Sequence, residues 1–402
     1  MAVIRAPELV VAGKTKIPLN VPSYGSEEVI EALDSMMSGW MTMGKKVKAF
    51  EEAWASYCGA RYGIATNSGS SANLLALSVM GLKPGYEVIT PALTWATTVF
   101  PIAQVGAVPV LVDVDRETYN IDPAAIEAAI TPQTRAIMPV HLLGNPCDMG
   151  VIMAIAKRHG LWVIEDACEA HGAEWHGKRV GTFGDMATFS FFFSHHISTI
   201  EGGMVLTQRP IYADRIRSLR AFGWVRDMSA EIRDVAAEAN PEIDPRFLFT
   251  LPGYNFRPTE MQGAFGIHQV PRLEGYIAIR RDNMAYWNHE LARYQDWLTL
   301  PTEAPNTRHV SFAYAVTVRE GAPFTAKALM AFLESRGVEC RPVEAGNMAE
   351  QPAMAHIKHR VGPIPNARYI HRNGFFWGNH HGIGAVEREA VAGYVHEFMG
   401  RF

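Results

Sequence analysis

The sequence predicts an α/β protein: a mainly parallel sheet covered by helices on both faces, followed by a smaller α+β domain. Three observations carry that reading. Short apolar runs bounded by turn residues recur through the first 270 residues, and amphipathic helical stretches lie between several of them. Past about residue 270 the alternation gives way to one long helical stretch and a mixed pattern. The length of 402 residues, 48% of them hydrophobic, suffices for two domains, placed at 1–270 and 271–402.

Taken in order, "SEEVIEALDSMM" and "KKVKAFEEAWASYCG" read as amphipathic helices, the first with Ser26 as N-cap. "YGIATNSG" is a short strand running into a turn, and "SANLLALSVMGL" is a helix closed by Gly81. The strand runs "YEVITP", "VPVLVDV", "TRAIMPV", "LWVIEDA", "MATFSFFF" and "GGMVLTQ" follow, with the helices "PAAIEAAI" and "MGVIMAIAKRHG" among them. The long helix "VPRLEGYIAIRRDNMAYWNHELARY" then leads to the strand "FAYAVTV" and the helix "TAKALMAFLESRG".

Composition excludes several function classes. A net charge of −4 points to neither nucleic acid nor an anionic membrane surface as partner. The first twenty residues lack a basic region followed by a long apolar run, so no secretion signal is expected and the protein reads as cytoplasmic. The most apolar stretch, "TTVFPIAQVGAVPVLVDV", is broken by Pro101, Gly106 and Pro109, so no membrane span is expected. Cys58, Cys147, Cys168 and Cys340 are scattered without metal-binding spacing, and the fifteen histidines form no HxH or HExxH, so no metal is expected.

In open α/β sheets ligands sit outside the carboxyl ends of the strands. Residues 67–71, Pro91 to Trp95, Asp113, His141, Glu165, Asp166 and Ser194 to His196 all follow or end strand runs, which collects hydroxyls, an aromatic, acids and imidazoles at one end. "NSGSSAN" enters a helix, and free N–H groups there suit a phosphate, although a Ser-rich cap looks the same. Trp95 offers a face for a planar ring, or ordinary packing. Asp166 at a buried strand end requires a cationic partner, which a protonated pyridine nitrogen or a structural ion pair equally supplies.

A phosphate cup, a stacking aromatic and a ring-nitrogen carboxylate together suit pyridoxal phosphate. At this point the chain resembles the DegT/DnrJ/EryC1/StrS sugar aminotransferase family, which has the fold-type-I (aspartate aminotransferase-like) architecture. The motifs are "GWMTMGKKVKAFEE", "NSGSSANLLAL", "PALTWATT", "VHLLGNPCDM", "IEDACEAHGAEW", "GTFGDMATFSFFFSHH", "EGGMV" and "GYNFRPTEMQGAFG", in the family's order over most of the chain. The resemblance implies that Gly69, Ser70 and Ser190 bind the cofactor phosphate, Trp95 stacks on the ring and Asp166 pairs with its nitrogen. It also implies that Glu169 stands near the phenolic oxygen, where the family often has Gln. Asn255 would reach the phosphate held by a neighbouring subunit, which makes the protein a homodimer with shared active sites.

One position departs from the family. His195 stands where ordinary members carry the lysine that holds the cofactor covalently, and imidazole forms no comparable bond. Histidine there is a property of the sugar 3-dehydratase branch, typified by the GDP-4-keto-6-deoxymannose 3-dehydratases, and "RPVEAGNMAEQP" is similar to that branch's C-terminal signature. The implied enzyme uses pyridoxamine phosphate to remove the C3 hydroxyl of a 4-keto-6-deoxy nucleotide sugar, with glutamate restoring the amine and His195 moving the proton. The alternatives are a nucleotide-sugar aminotransferase and a catalytically silent cofactor-binding regulator. A related CDP-sugar enzyme carries an iron–sulfur cluster; "GWVRDMSAEIRD" has no cysteine, so no cluster is expected here. Adjacent residues of an extended segment face opposite ways, so His196 reads as a packing residue with a substrate contact as the other option. Glu201 reads as closing the turn before Gly202. Arg226, Arg257 and Arg341 are candidates for the diphosphate or sugar hydroxyls, or surface ion pairs.

Overall fold

The computed structural model describes residues 17–402, together with the backbone of two short paired strands, Val10–Val11 and Lys14–Thr15. Most of the stretch on which the secretion-signal reading rests therefore lies outside the described residues. The apolar runs of the large domain form one eight-stranded sheet. Its order is Arg360–Val361, Val108–Val112, Glu87–Pro91, Thr134–Ile137, Trp162–Asp166, Met186–Ser190, Gly203–Thr207 and Tyr62–Thr66. All neighbours pair in parallel except Gly203–Thr207, which runs antiparallel to both of its neighbours. Val108–Val112, Met186–Ser190 and Gly203–Thr207 are buried along their length, and the other inner strands at all but one residue each, as expected where helices cover both faces.

The second sheet is antiparallel, in the order Leu298–Thr299, Ala313–Val318, Gly374–Gly378, Cys340–Pro342. It packs with the helices Leu273–Leu291, Ala326–Ser335 and Ala385–Met399 around Trp287, Tyr314, Phe375 and Trp377, all fully buried. The proposed division near residue 270 falls at the start of the long helix, whose ends tighten to 3-10 turns at Val270–Arg272 and Ala292–Tyr294. One strand crosses that division: Arg360–Val361 joins the edge of the large sheet.

Two local details differ from the sequence reading. The first helix begins at Ser26 itself, and Gly25 is its cap. The buried Glu28 carboxylate accepts from the Gly25 N–H at 2.8 Å, which ties the cap residue back to the first turn, while no side chain caps the helix N–H groups; Gln269 and Arg272 hold Glu28 in place. The aromatic run also leaves the sheet early, since the strand ends at Ser190 and residues 191–199 form turns.

At the end of the Trp162–Asp166 strand, alternation sends two adjacent carboxylates to different tasks. Glu165, fully buried, accepts from the N–H groups of Gly181, Phe183 and Gly184, each at 2.7 Å, and meets His141 Nε2 at 3.2 Å. His141 Nδ1 accepts from the Cys147 N–H, so its proton sits on Nε2 toward Glu165. Asp113 likewise accepts from the N–H groups of Asn366 and Ala367 at the start of the helix Pro365–Asn373. These groups from the strand-end census are therefore structural.

Two predictions follow from this burial. Glu165→Ala strands three buried N–H donors and lowers the unfolding free energy by about 3 kcal/mol or more, measured by urea denaturation. Burial also pushes six histidines down: His195 and His380 to about 3, His309 and His381 to about 4, and His171 and His196 well below the ordinary range. Below about pH 6.5 the unfolded chain binds protons that the folded chain refuses. Stability is therefore full above that pH and lost as pH falls through it, read as a declining urea midpoint between pH 7 and 5.

Candidate active site

A cavity of about 540 Å³ opens outside the carboxyl ends of the parallel strands. Residues before 200 supply Ser68 to Ser70, Thr94, Trp95, Thr98, Asp166, Glu169, Ser190 and His195; the smaller sheet adds Arg341 and Phe376, and the turn after Pro342 adds Glu344. The structure thus brings together seven of the residues singled out by sequence around the cofactor, together with Arg341.

The helix Gly69–Val79 starts directly from the Tyr62–Thr66 strand, with Ser68 as N-cap accepting from the Ser71 N–H at 3.1 Å. Its first N–H groups face the cavity without intrahelical partners. Gly69 is required by proximity: a Cβ there would lie 2.5 Å from the Ser190 Cβ. The helix end and the end of the Met186–Ser190 strand therefore touch, and their hydroxyls and N–H groups form a cradle for an anion.

Asp166 is 4% exposed, and its three partners are neutral. Oδ2 accepts from Thr98 Oγ1 at 2.8 Å and Asn73 Nδ2 at 3.1 Å, and Oδ1 from the Cys168 N–H at 3.2 Å. Asn73 is fixed in turn by Thr188 Oγ1, which donates to its Oδ1 at 2.5 Å. A carboxylate so oriented toward a cavity is complementary to a cationic ligand atom. Trp95, 57% exposed, caps the helix Ala96–Gln104 and presents its indole at the rim.

Glu169 accepts from the Leu143 N–H at 2.7 Å, and its carboxyl meets that of Glu344, which comes from the smaller domain with a left-handed backbone, φ 49°. Burial and mutual repulsion raise Glu169 well above the carboxylate range, and burial raises Glu344. Glu201 also lines the cavity and is raised by burial, beyond the turn-closing role read from sequence.

His195 lies part-buried in the cavity wall, while His196 is fully buried and its Nε2 lies 3.2 Å from the Val310 carbonyl. The substrate contact considered for His196 is therefore corrected to packing: the turn after Ser190 directs its ring into the protein. The Arg280 guanidinium, buried in the long helix, donates to the carbonyls of Phe312 and Asn379. Its field adds to burial in holding His195 neutral, and burial lowers Arg280 itself to about 9.

Arg226, Arg257 and Asn255 do not line this cavity. Arg226 lies over Trp224 at 3.9 Å and pairs with Asp227. Arg257 lies over Phe222 and donates to Asn255 Oδ1 at 3.1 Å. Sequence reasoning missed Asn73, Thr98, Glu344 and Arg280. For Arg280 a signal existed: positions 273, 277, 280, 284, 287 and 291 are buried at helical spacing, so an arginine sits on the apolar stripe.

The site fits a phosphorylated pyridine. The Gly69–Ser190 cradle would hold the phosphate, Asp166 would offer a counter-charge to the ring nitrogen, and Trp95 at the rim would offer a face to the ring. No lysine among the described residues lines the cavity. Among the described residues no group of histidine, cysteine and acidic side chains could hold a metal ion, and no helix is long and apolar enough to cross a membrane.

Comparison with known proteins agrees with that chemistry. The GDP-4-keto-6-deoxy-D-mannose 3-dehydratase of Yersinia pseudotuberculosis is 38% identical over 380 residues, covering 91% of this chain and 95% of that protein. The GDP-perosamine synthase of Caulobacter vibrioides is 40% identical over 345 residues, covering 85% and 88%. A crystal structure of GDP-4-keto-6-deoxymannose-3-dehydratase with a trapped PLP-glutamate geminal diamine superposes with a TM-score of 0.87 at 32% identity, covering 94% of this chain and all of that one. The profile of the DegT/DnrJ/EryC1/StrS aminotransferase family matches residues 22–396. The chain belongs to the DegT/DnrJ/EryC1/StrS aminotransferase family.

Proposed function

We propose that the protein is a pyridoxamine-phosphate-dependent 3-dehydratase that removes the C3 hydroxyl of a GDP-linked 4-keto-6-deoxy sugar in deoxysugar biosynthesis. The observation that carries the reading is His195 in the wall of a cavity that no lysine among the described residues lines. The 3-dehydratase relatives support the reaction class, and they and the perosamine synthase support the GDP-linked substrate. When bound, the cofactor supplies an amine able to condense with a C4 ketone and a ring that accepts electrons when a C–H bond breaks.

The chain's own residues then have distinct tasks. Gly69, Ser70 and Ser190 hold the phosphate, and Asp166 holds the positive charge on the ring nitrogen. Trp95 fixes the ring plane, and Glu169, raised by burial and by its contact with Glu344, faces the phenolic oxygen. Neutral His195 takes a proton from the amine-bearing carbon. Arg341, exposed at the cavity mouth, meets the anionic substrate or the glutamate carboxylate. Overall, sugar and glutamate give the 3-deoxy sugar, 2-oxoglutarate and ammonia, so glutamate supplies the electrons that reduce C3.

The working unit in this proposal is a homodimer in which Asn255 of one copy reaches the phosphate cradle of the other. Asn255, Arg226 and Arg257 lie outside the cavity of their own chain, and Met37, Trp40, Met41, Phe247 and Phe249 are exposed, half or more of each surface open.

With GDP-4-keto-6-deoxymannose and glutamate, the expected product is lighter by one oxygen, retains its C4 carbonyl and appears with equimolar ammonia. A stable 4-amino sugar as sole product sinks the proposal and supports an aminotransferase, the reading that the 40% identical perosamine synthase favours. Borohydride leaves the cofactor extractable from the wild type. His195→Lys becomes covalently labelled by the same treatment and loses dehydration by about 100-fold or more. For the shared site, mixing His195→Asn with Asn255→Ala chains under exchange conditions restores activity, because each heterodimer contains one intact site; no recovery refutes the sharing.

A further inference from the structure

Four buried ring nitrogens beside the cavity lack a well-formed hydrogen bond: Nδ1 and Nε2 of His171, which has the Ser190 backbone nearby, Nδ1 of His195 and Nδ1 of His196. They belong to three imidazoles in contact. The His171 ring centroid lies 5.9 Å from that of His195 and 5.5 Å from that of His196, with both ring pairs inclined by 39°. His171 and His196 are fully buried. Four unpaired nitrogens gathered in one apolar pocket are costly unless they serve each other.

The tautomers follow by elimination. The Val310 carbonyl only accepts, so His196 Nε2 carries the hydrogen. Burial and the Arg280 charge keep the ring neutral, so His196 Nδ1 is a bare acceptor. Neutral His171 has one N–H and one bare nitrogen. Its N–H turns to His196 Nδ1 or to the nearby Ser190 carbonyl. In either case the nitrogen that remains is an acceptor, and the donor available to it is His195 Nδ1–H. His195 Nε2 is not among the unpaired buried atoms, and its ring lines the cavity.

We propose that His171 is a positioning residue: it accepts from His195 Nδ1–H and so fixes the tautomer whose Nε2 lone pair faces the cavity. His196, tied to the Val310 carbonyl, sets the direction of the chain. The catalytic consequence rests on the reading of His195 as proton carrier, but the tautomer itself does not.

The test is selective ¹⁵N-histidine labelling of the cofactor-loaded protein, with His195 assigned by a His195→Asn variant. The expected spectrum shows neutral His195 protonated at Nδ1 at pH 7.5. An Nε2-protonated His195 in the wild type overturns the inference even if no variant folds. His171→Phe, which keeps an aromatic ring among Trp54, Phe189 and Phe191, is expected to shift His195 to a tautomer mixture. It should also lower kcat about tenfold or more with KM little changed. His171→Gln retains a donor and an acceptor and recovers part of the loss. An unaltered His195 tautomer in folded His171→Phe refutes the role. An Nδ1-protonated His195 in a protein without dehydratase activity keeps this inference and removes the proposed function instead.

Discussion

The site is organised around a carboxylate that the chain buries without a counter-charge of its own. Asp166 is held by a hydroxyl, an amide and a backbone N–H, and none of them neutralises it. That arrangement dictates much around it. Asn73 must present its NH₂ to Asp166, so Thr188 donates to its carbonyl oxygen, which locks the helix Gly69–Val79 against the Met186–Ser190 strand. The same lock presses Gly69 onto Ser190 and so creates the anion cradle. One end of a ligand is thus selected for positive charge and the other for negative charge, on opposite sides of a single rigid unit.

Much of this was legible in the sequence because strand ends are local features. A run of apolar residues stopping at an acid, or at Ser190, announces where a sheet ends and what its last residue can do. The residues that were not legible act across long separations. Asn73 meets Asp166 over 93 positions, and Glu344 meets Glu169 from the other sheet. No periodicity encodes such pairings. The histidine pair shows the limit from the other side: alternation along a strand predicted that one ring would face away, and one does, but the strand had already ended at Ser190 and a turn makes the difference.

The acids in the cavity answer a different requirement. Asp166, Glu169 and Glu344 crowd one region: burial and repulsion raise Glu169 and burial raises Glu344, while Asp166 is surrounded by hydrogen-bond donors. Similar side chains thereby meet different surroundings within one site. Glu344 follows the Cys340–Pro342 strand, so its contact with Glu169 ties that strand to the large sheet at the place where a ligand would lie.

Arg280 has a consequence beyond its own hydrogen bonds. A buried guanidinium whose field reaches position 195 adds to burial in penalising any second cation there, whatever its chemistry. The same burial loosens the guanidinium's own hold on its proton, to about 9. This wall of the cavity is therefore rich in nitrogen and sparing of positive charge, so an anion entering the cavity meets its cations at the mouth, at Arg341, and not in the depth of the wall.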